Sequence, residues 1–169
     1  MASYVDLAAG GTGHTGTTGD PFSWSDFYAA VLAKTDSIFY IKGQTSSPSV
    51  WLAWPGDISG FQFSAWGNDP FRIQTSDSGG QFYGNWNRCI IEFTGTLGGR
   101  RIISFDTFIG KNVFIKSTQS IYYFYFGDNC YFYGCTLVGT QAIGQITGTL
   151  TCQDTQLDFA SGWVFYNPD

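Results

Sequence analysis

The chain has 169 residues, with 13 acidic against 8 basic side chains and a formal net charge of −5. That length suits one domain able to bury about two thirds of the surface its unfolded form exposes. Charged residues make up only 12%, which excludes the basic footprint of a nucleic-acid binder. No stretch approaches the roughly 18 uninterrupted apolar residues of a membrane span, and the N-terminus lacks the pattern of a secretory signal peptide, so the expectation is a soluble protein with no membrane partner.

In chain order, Tyr4-Val-Asp-Leu predicts a short strand. The loop after it places Gly11, Gly13 and Gly16 on a G-x-G-x-x-G spacing. A dinucleotide fingerprint needs a helix to begin inside the glycines, so that its first N–H groups face the phosphates. Here Thr17-Thr-Gly-Asp-Pro-Phe intervenes, and the next strand ends on Lys42 where a ribose-binding carboxylate belongs. The loop therefore reads as a connector whose glycines take positive φ without steric cost. His14, the single histidine, reads as a solvated residue of that loop. One histidine cannot build a site needing two, and neither a metal nor a cofactor is expected.

The helix signal is clear. Ser23 is a good N-cap with Asp26 at the capping-box position, and Phe22 is placed to staple onto Phe27. Trp24, Phe27, Val31 and Leu32 recur at helical spacing and predict an apolar face. Lys34 is placed in the last turn, and the helix ends by Thr35 or Asp36.

From Ser37 onward the pattern is strand, turn, strand. The runs Ile38-Phe-Tyr-Ile, Val50-Trp-Leu-Ala-Trp, Phe61-Gln-Phe, Phe71-Arg-Ile, Cys89-Ile-Ile-Glu-Phe and Arg101-Ile-Ile-Ser-Phe are short and mostly bounded by turn residues. Two internal similarities stand out. Arg88-Cys-Ile-Ile-Glu-Phe aligns with Arg100-Arg-Ile-Ile-Ser-Phe, and Asn129-Cys-Tyr-Phe with Cys135-Thr-Leu aligns with Thr149-Leu-Thr-Cys and Thr155-Gln-Leu. A coil period of about 20 residues predicts stacked units, and the absence of Asn-Gly and Asp-Gly argues against tight hairpins. The predicted organisation is an N-terminal strand, loop and capping helix over 1–36 and coils over 37–169, about six of them, in a stub about 25–30 Å long. The helix would cover the exposed end of the core.

The opening Tyr4-Val-Asp-Leu-Ala-Ala-Gly-Gly-Thr-Gly, followed by Asp20-Pro-Phe-Ser-Trp-Ser-Asp-Phe, resembles the start of pectate-lyase-like right-handed β-helix proteins, including many phage virion proteins. Asp128-Asn-Cys-Tyr-Phe-Tyr-Gly-Cys-Thr-Leu is similar in style to their coils. The strict resemblance covers about the first 42 residues. It implies an all-β fold, a small single-stranded right-handed parallel β-helix with an N-terminal capping α-helix.

Cys89, Cys130, Cys135 and Cys152 lack zinc-site spacing and read as small buried hydrophobes, with a bridge between Cys130 and Cys135 or between stacked strands left open. Glu92, the single glutamate, and Asp106 are the carboxylates that a polysaccharide-cleaving β-helix enzyme could use if a coil surface brought them together. The run Ile121-Tyr-Tyr-Phe-Tyr-Phe-Gly-Asp-Asn-Cys-Tyr-Phe-Tyr is the most informative: alternation turns half its rings outward. Tyr122, Tyr123, Tyr125, Tyr131, Tyr133 and Trp163 are therefore candidates for protein contact or sugar stacking. The expected function is a structural component of a bacteriophage virion, a capsid decoration or a short fibre or tail-spike piece. Its expected partners are further copies of itself, as a homotrimer, and other virion proteins such as the capsid protein, with a host surface glycan as a further ligand. A carbohydrate-binding adhesin and a polysaccharide-cleaving enzyme are the alternatives.

Overall fold

The computed structural model describes residues 1–45, 58–75, 80–94, 101–117, 122–139, 142–159 and 163–166, leaving aside the side chains at 75, 80, 101, 102, 122, 123, 142–145, 159 and 163–166. The Val50–Trp54 run lies outside the described residues. The chain opens with β1 (Ala2–Asp6) and passes through the glycine loop into α1 (Trp24–Ala33). The later elements are β2 (Ile38–Lys42), β3 (Gln44–Thr45), β4 (Gln62–Ala65), β5 (Phe71–Thr75), β6 (Gly80–Phe93), β7 (Arg101–Ser117) and β8 (Tyr122–Phe126). They are followed by β9 (Cys130–Tyr133), β10 (Thr136–Gly139), β11 (Ala142–Ile146), β12 (Leu150–Gln153), β13 (Gln156–Phe159) and β14 (Trp163–Tyr166).

The strand pairs are parallel and sort into three faces of a β-solenoid of about four turns. Face A stacks β1, β2, β4, the middles of β6 and β7, β9 and β12, so that Tyr4, Tyr40, Ser64, Asn87, Lys111, Tyr133 and Gln153 form one column. Face B stacks β3, β5, the ends of β6 and β7, β10 and β13. Face C stacks the starts of β6 and β7 with β8, β11 and β14. Among the described residues all three faces appear in β6, in β7, in β8–β9–β10 and in β11–β12–β13, whereas β2–β3 and β4–β5 contribute faces A and B. The solenoid has about four turns, fewer than the six expected. The step along face A shortens from 24 residues (Asn87 to Lys111) through 22 (Lys111 to Tyr133) to 20 (Tyr133 to Gln153).

The later similarity is a true stacking: Thr136 pairs with Gln156, Leu137 with Leu157, Cys130 with Leu150 and Phe132 with Cys152. The earlier one is not. Ile91 stacks on Ile115 in face B, while Ile103 stacks on Phe124 in face C. The two aliphatic runs look alike because each is a strand with one face in the core.

β6 and β7 run for 14 and 17 residues, longer than the short strands expected, because they turn corners without leaving the ladder. Arg88, Asn112, Gly134 and Asp154 share the corner from face A to face B with φ of 54°, 52°, 59° and 51°. Gly84, Thr107 and Asn129 take the corner from C to A at 78°, 47° and 52°. A single left-handed residue swings the chain onto the next face.

Parallel register places equivalent inward side chains one strand spacing apart, so aromatics stack from turn to turn. Phe39 lies 5.8 Å from Phe63, which lies 4.6 Å from Trp86. On face C, Phe105 lies 5.4 Å from Phe82 and 5.6 Å from Phe126. Phe108 and Phe132 fill the centre at 4.9 and 5.1 Å from Phe105.

α1 closes the first turn. Ser23 is its N-cap and, with Asp26, makes both halves of a capping box. Phe27 meets Phe39 edge-on at 5.0 Å, Val31 is fully buried, and Phe22 and Trp24 pack partly buried against the core. Leu32 is not part of that contact: it is 42% exposed, because the buried face runs through Phe27, Ala30 and Val31. Lys34 lies beyond the last turn as a left-handed C-cap, donating its N–H to the Ala30 and Val31 carbonyls.

The cysteines are all free thiols, so the Cys130–Cys135 bridge does not form. Cys89, Cys130 and Cys135 are buried as expected, but Cys152 is exposed. Cys130 Sγ donates to the Phe105 carbonyl at 3.3 Å and Cys135 Sγ to that of Tyr133 at 3.4 Å.

Candidate functional site

The glycine loop is an anion cradle filled by the chain's own carboxylates. Gly11, Gly13 and Gly16 do take positive φ, at 87°, 90° and 73°. Gly13 N donates to Asp26 Oδ1 at 2.8 Å, His14 N to Asp26 Oδ2 at 3.3 Å and Thr15 N to Asp20 Oδ2 at 2.9 Å. Burial pushes the Asp26 carboxyl up, but the hydrogen bonds from Gly13, Ser23 and His14 outweigh it and hold it below its ordinary value. His14 is half-buried rather than freely solvated, with Nδ1 2.7 Å from Asp20 Oδ1 and Nε2 3.1 Å from the Gly10 carbonyl.

Strand alternation sorts the aromatic run by chemistry. Phe124, Phe126 and Phe132 point into the core, while Tyr125, Tyr131 and Tyr133 are half-buried at outward positions. Tyr125 hydrogen-bonds Thr147 Oγ1 at 2.8 Å on face C. Tyr131 and Tyr133 stack in parallel on face A, with centroids 6.5 Å apart and planes 3° from coincidence. The candidates Tyr122, Tyr123 and Trp163 belong to β8 and β14, and their side chains lie outside the described residues.

Around Tyr131 and Tyr133, face A carries a surface that composition did not reveal. At its far end Tyr4 stacks on Tyr40 at 5.5 Å and meets Trp66 at 5.0 Å, with Lys42 Nζ 4.4 Å above the Trp66 ring and 3.2 Å from Asp6. Between the two aromatic groups lies a depression of about 310 Å³ lined by Gln62, Ser64, Asn85, Trp86, Asn87, Ile109 and Lys111. A second, of about 520 Å³, lies around Trp66 and takes in Lys42, Asn68, Asp69 and Arg72. Rigid parallel strands hold the amides in columns: Gln62, Asn85, Ile109, Tyr131 in one and Ser64, Asn87, Lys111, Tyr133 in the other. Such a floor donates and accepts hydrogen bonds along the solenoid axis with little reorganisation.

Glu92 and Asp106 are not brought together. Glu92 stands in face B beside Lys116 in register, while Asp106 sits at the C-to-A corner, where its Oδ1 accepts from Asp128 N at 3.1 Å. Among the described residues, no cluster of three or more His, Cys, Asp or Glu is placed to hold a metal, and no helix is long and apolar enough to cross a membrane. Comparison with known proteins finds no matching family model, no matching curated protein and no matching solved structure.

Proposed function

We propose that this chain is a rigid structural component of a bacteriophage virion, a capsid decoration or a short fibre or spike piece that associates with further copies of itself as a trimer. The virion assignment rests on the resemblance of the Tyr4–Phe27 segment to the opening of pectate-lyase-like β-helix proteins. The observation that carries an assembly role is the contrast in burial between the first turn and the β11–β12–β13 turn. At the first turn α1 buries Phe27 and Val31 against the core. In the β11–β12–β13 turn Leu150 and Leu157 are half-buried and Cys152 is exposed, although one turn earlier Cys130, Leu137 and Phe132 are sealed. Apolar positions left partly open on the β11–β12–β13 turn favour packing of a further element there, which another copy of this chain can supply.

Quantitative mass spectrometry of purified virions, measured against the major capsid protein, tests the reading. Hundreds of copies identify a shell decoration, and a few to a few dozen identify a fibre, spike or vertex piece. Absence of the chain from the particle overturns the proposal. Light scattering of the purified chain tests self-association, and a monomer at all concentrations removes the trimer.

A further inference from the structure

We infer that residues 10–22 form a proton-controlled strap over the outer edge of β1, fastened while His14 is an imidazolium and loosened when that proton leaves, so that the edge of the first strand opens.

On one side β1 pairs with β2, and on the other it would present a bare strand edge. The strap covers that edge. Tyr4 N donates to the Gly16 carbonyl at 2.8 Å, Asp6 N to the Phe22 carbonyl at 2.9 Å, and Phe22 N to the Tyr4 carbonyl at 2.8 Å. Phe22 thereby bridges Val5 in parallel register, and its ring lies so close over Gly16 that a Cβ there would come within 2.6 Å of it. These bonds need the chain between Gly16 and Phe22 to stay folded back, and Asp20 does the folding. Thr17 N donates to the Asp20 carbonyl at 3.2 Å, and Asp20 Oδ2 accepts from Thr15 N and Thr15 Oγ1, each at 2.9 Å.

His14 supplies the fastening. Its Nδ1 lies 2.7 Å from Asp20 Oδ1 and its Nε2 lies 3.1 Å from the Gly10 carbonyl oxygen. An ionised carboxylate and a carbonyl can only accept, so both ring nitrogens must donate, and only the imidazolium carries two N–H groups. The neutral ring keeps one, and its other nitrogen then turns a lone pair toward an oxygen. Release of the proton to solvent therefore removes one of the two bonds and the positive charge that strengthens the shorter one.

The surrounding charges leave the histidine as the element that switches. Asp26, on α1, accepts from Gly13 N at 2.8 Å and His14 N at 3.3 Å and adds a second negative charge beside the ring. Hydrogen bonds hold both Asp20 and Asp26 below the ordinary carboxylate value, so both stay ionised where an imidazole titrates. On β1 and β2, Asp6 and Lys42 pair with each other at 3.2 Å, and the N-terminal amine lies 3.6 Å from Asp36. Within the strap, His14 is the group that changes charge near neutral pH.

Such a strap operates whether or not the chain resides in a virion. Amide hydrogen exchange of the full chain, corrected for the intrinsic effect of pH and measured at about pH 5.5 and about pH 8.5, brackets the titration and tests it. Protection of the Tyr4, Asp6 and Phe22 amides is expected to fall at least about threefold at the higher pH, while that of Ile115, paired on both sides within face B, stays constant. His14→Gln keeps an N–H donor that does not titrate and makes the protection of the three edge amides equal at the two pH values, which separates His14 from the N-terminal amine. Asp20→Asn removes the charged acceptor and shrinks the difference as well. Circular dichroism melting shows that each variant is folded. Equal protection of the edge amides at both pH values in the unaltered chain overturns the strap. So does a pH dependence that persists undiminished in both variants, or a parallel loss at Ile115, which would mean that the whole solenoid responds.

Discussion

His14 and Asp20 form the tightest side-chain contact of the glycine loop, with Nδ1 2.7 Å from Oδ1. The hydrogen bond that the imidazole donates to Asp20 raises the histidine above its ordinary value of 6.5, with the bond to the Gly10 carbonyl adding to the effect. The same bond lowers Asp20 below 3.8, supported by the Thr15 backbone and hydroxyl. The histidine's contribution to stability is fully present below 6.5 and is lost as pH rises through its raised folded value. The aspartate's is present above 3.8 and lost as pH falls through its lowered folded value. An NMR titration of the imidazole is therefore expected to give a midpoint above 6.5, which Asp20→Asn returns toward that value. A midpoint at or below 6.5 in the unaltered chain contradicts the pairing.

Phe105 is the centre of the aromatic stack, fully buried and within 6.4 Å, centroid to centroid, of Phe82, Phe108, Phe124, Phe126 and Phe132. Phe105→Ala removes contacts to turns on both sides and is expected to cost about 3–5 kcal/mol, with Phe105→Leu costing less. Urea denaturation followed by circular dichroism measures both. A falling m-value in the alanine variant would mark uncoupling of the turns, and a cost near zero would remove Phe105 from the core account.

Thiol reactivity separates the four cysteines. Burial pushes Cys130 up to about 12 and raises Cys89 and Cys135, so their thiolate forms are scarce at neutral pH. Cys152 is also raised by burial and by Cys135, yet it is the exposed thiol. Native protein treated with a thiol reagent is expected to show one accessible group whose rate climbs with pH. Cys152→Ser removes it. A second fast thiol in the native chain argues against the burial of the other three.

What could be read from the chain follows from which signals are local. Ser23 and Asp26 define the helix start within four residues, and the structure adds only that Asp26 also holds the loop. The match of Cys135-Thr-Leu to Thr155-Gln-Leu was legible because one turn there takes 20 residues without an insertion. The resemblance between residues 88–93 and 100–105 misled because two different faces use the same alternation of aliphatic and polar residues. Gln62, Asn85, Asn87 and Lys111 left no signal at all. Each is an ordinary polar residue in its own strand, and only the stacking register, with steps of 22–24 residues, gathers them under Tyr131 and Tyr133.

The corners supply the sharpest contrast. Gly84 sits at φ 78°, and a Cβ there would lie 2.7 Å from the Phe61 carbonyl oxygen and 2.8 Å from that of Ile58. Both neighbours are backbone, so Gly84→Ala combines a left-handed penalty of about 1–2 kcal/mol with a clash that side-chain rotation cannot relieve. Asp154 is also left-handed, with φ 51°, but at the other corner, the exposed one from A to B. Asp154→Gly removes the same penalty and gives back about 0.5–1 kcal/mol through the greater freedom of the unfolded chain. The expected result is a clear fall in melting temperature for Gly84→Ala and little change or a small rise for Asp154→Gly. Shifts of the same sign and size in both variants would mean that left-handed corner geometry does not govern how this solenoid turns.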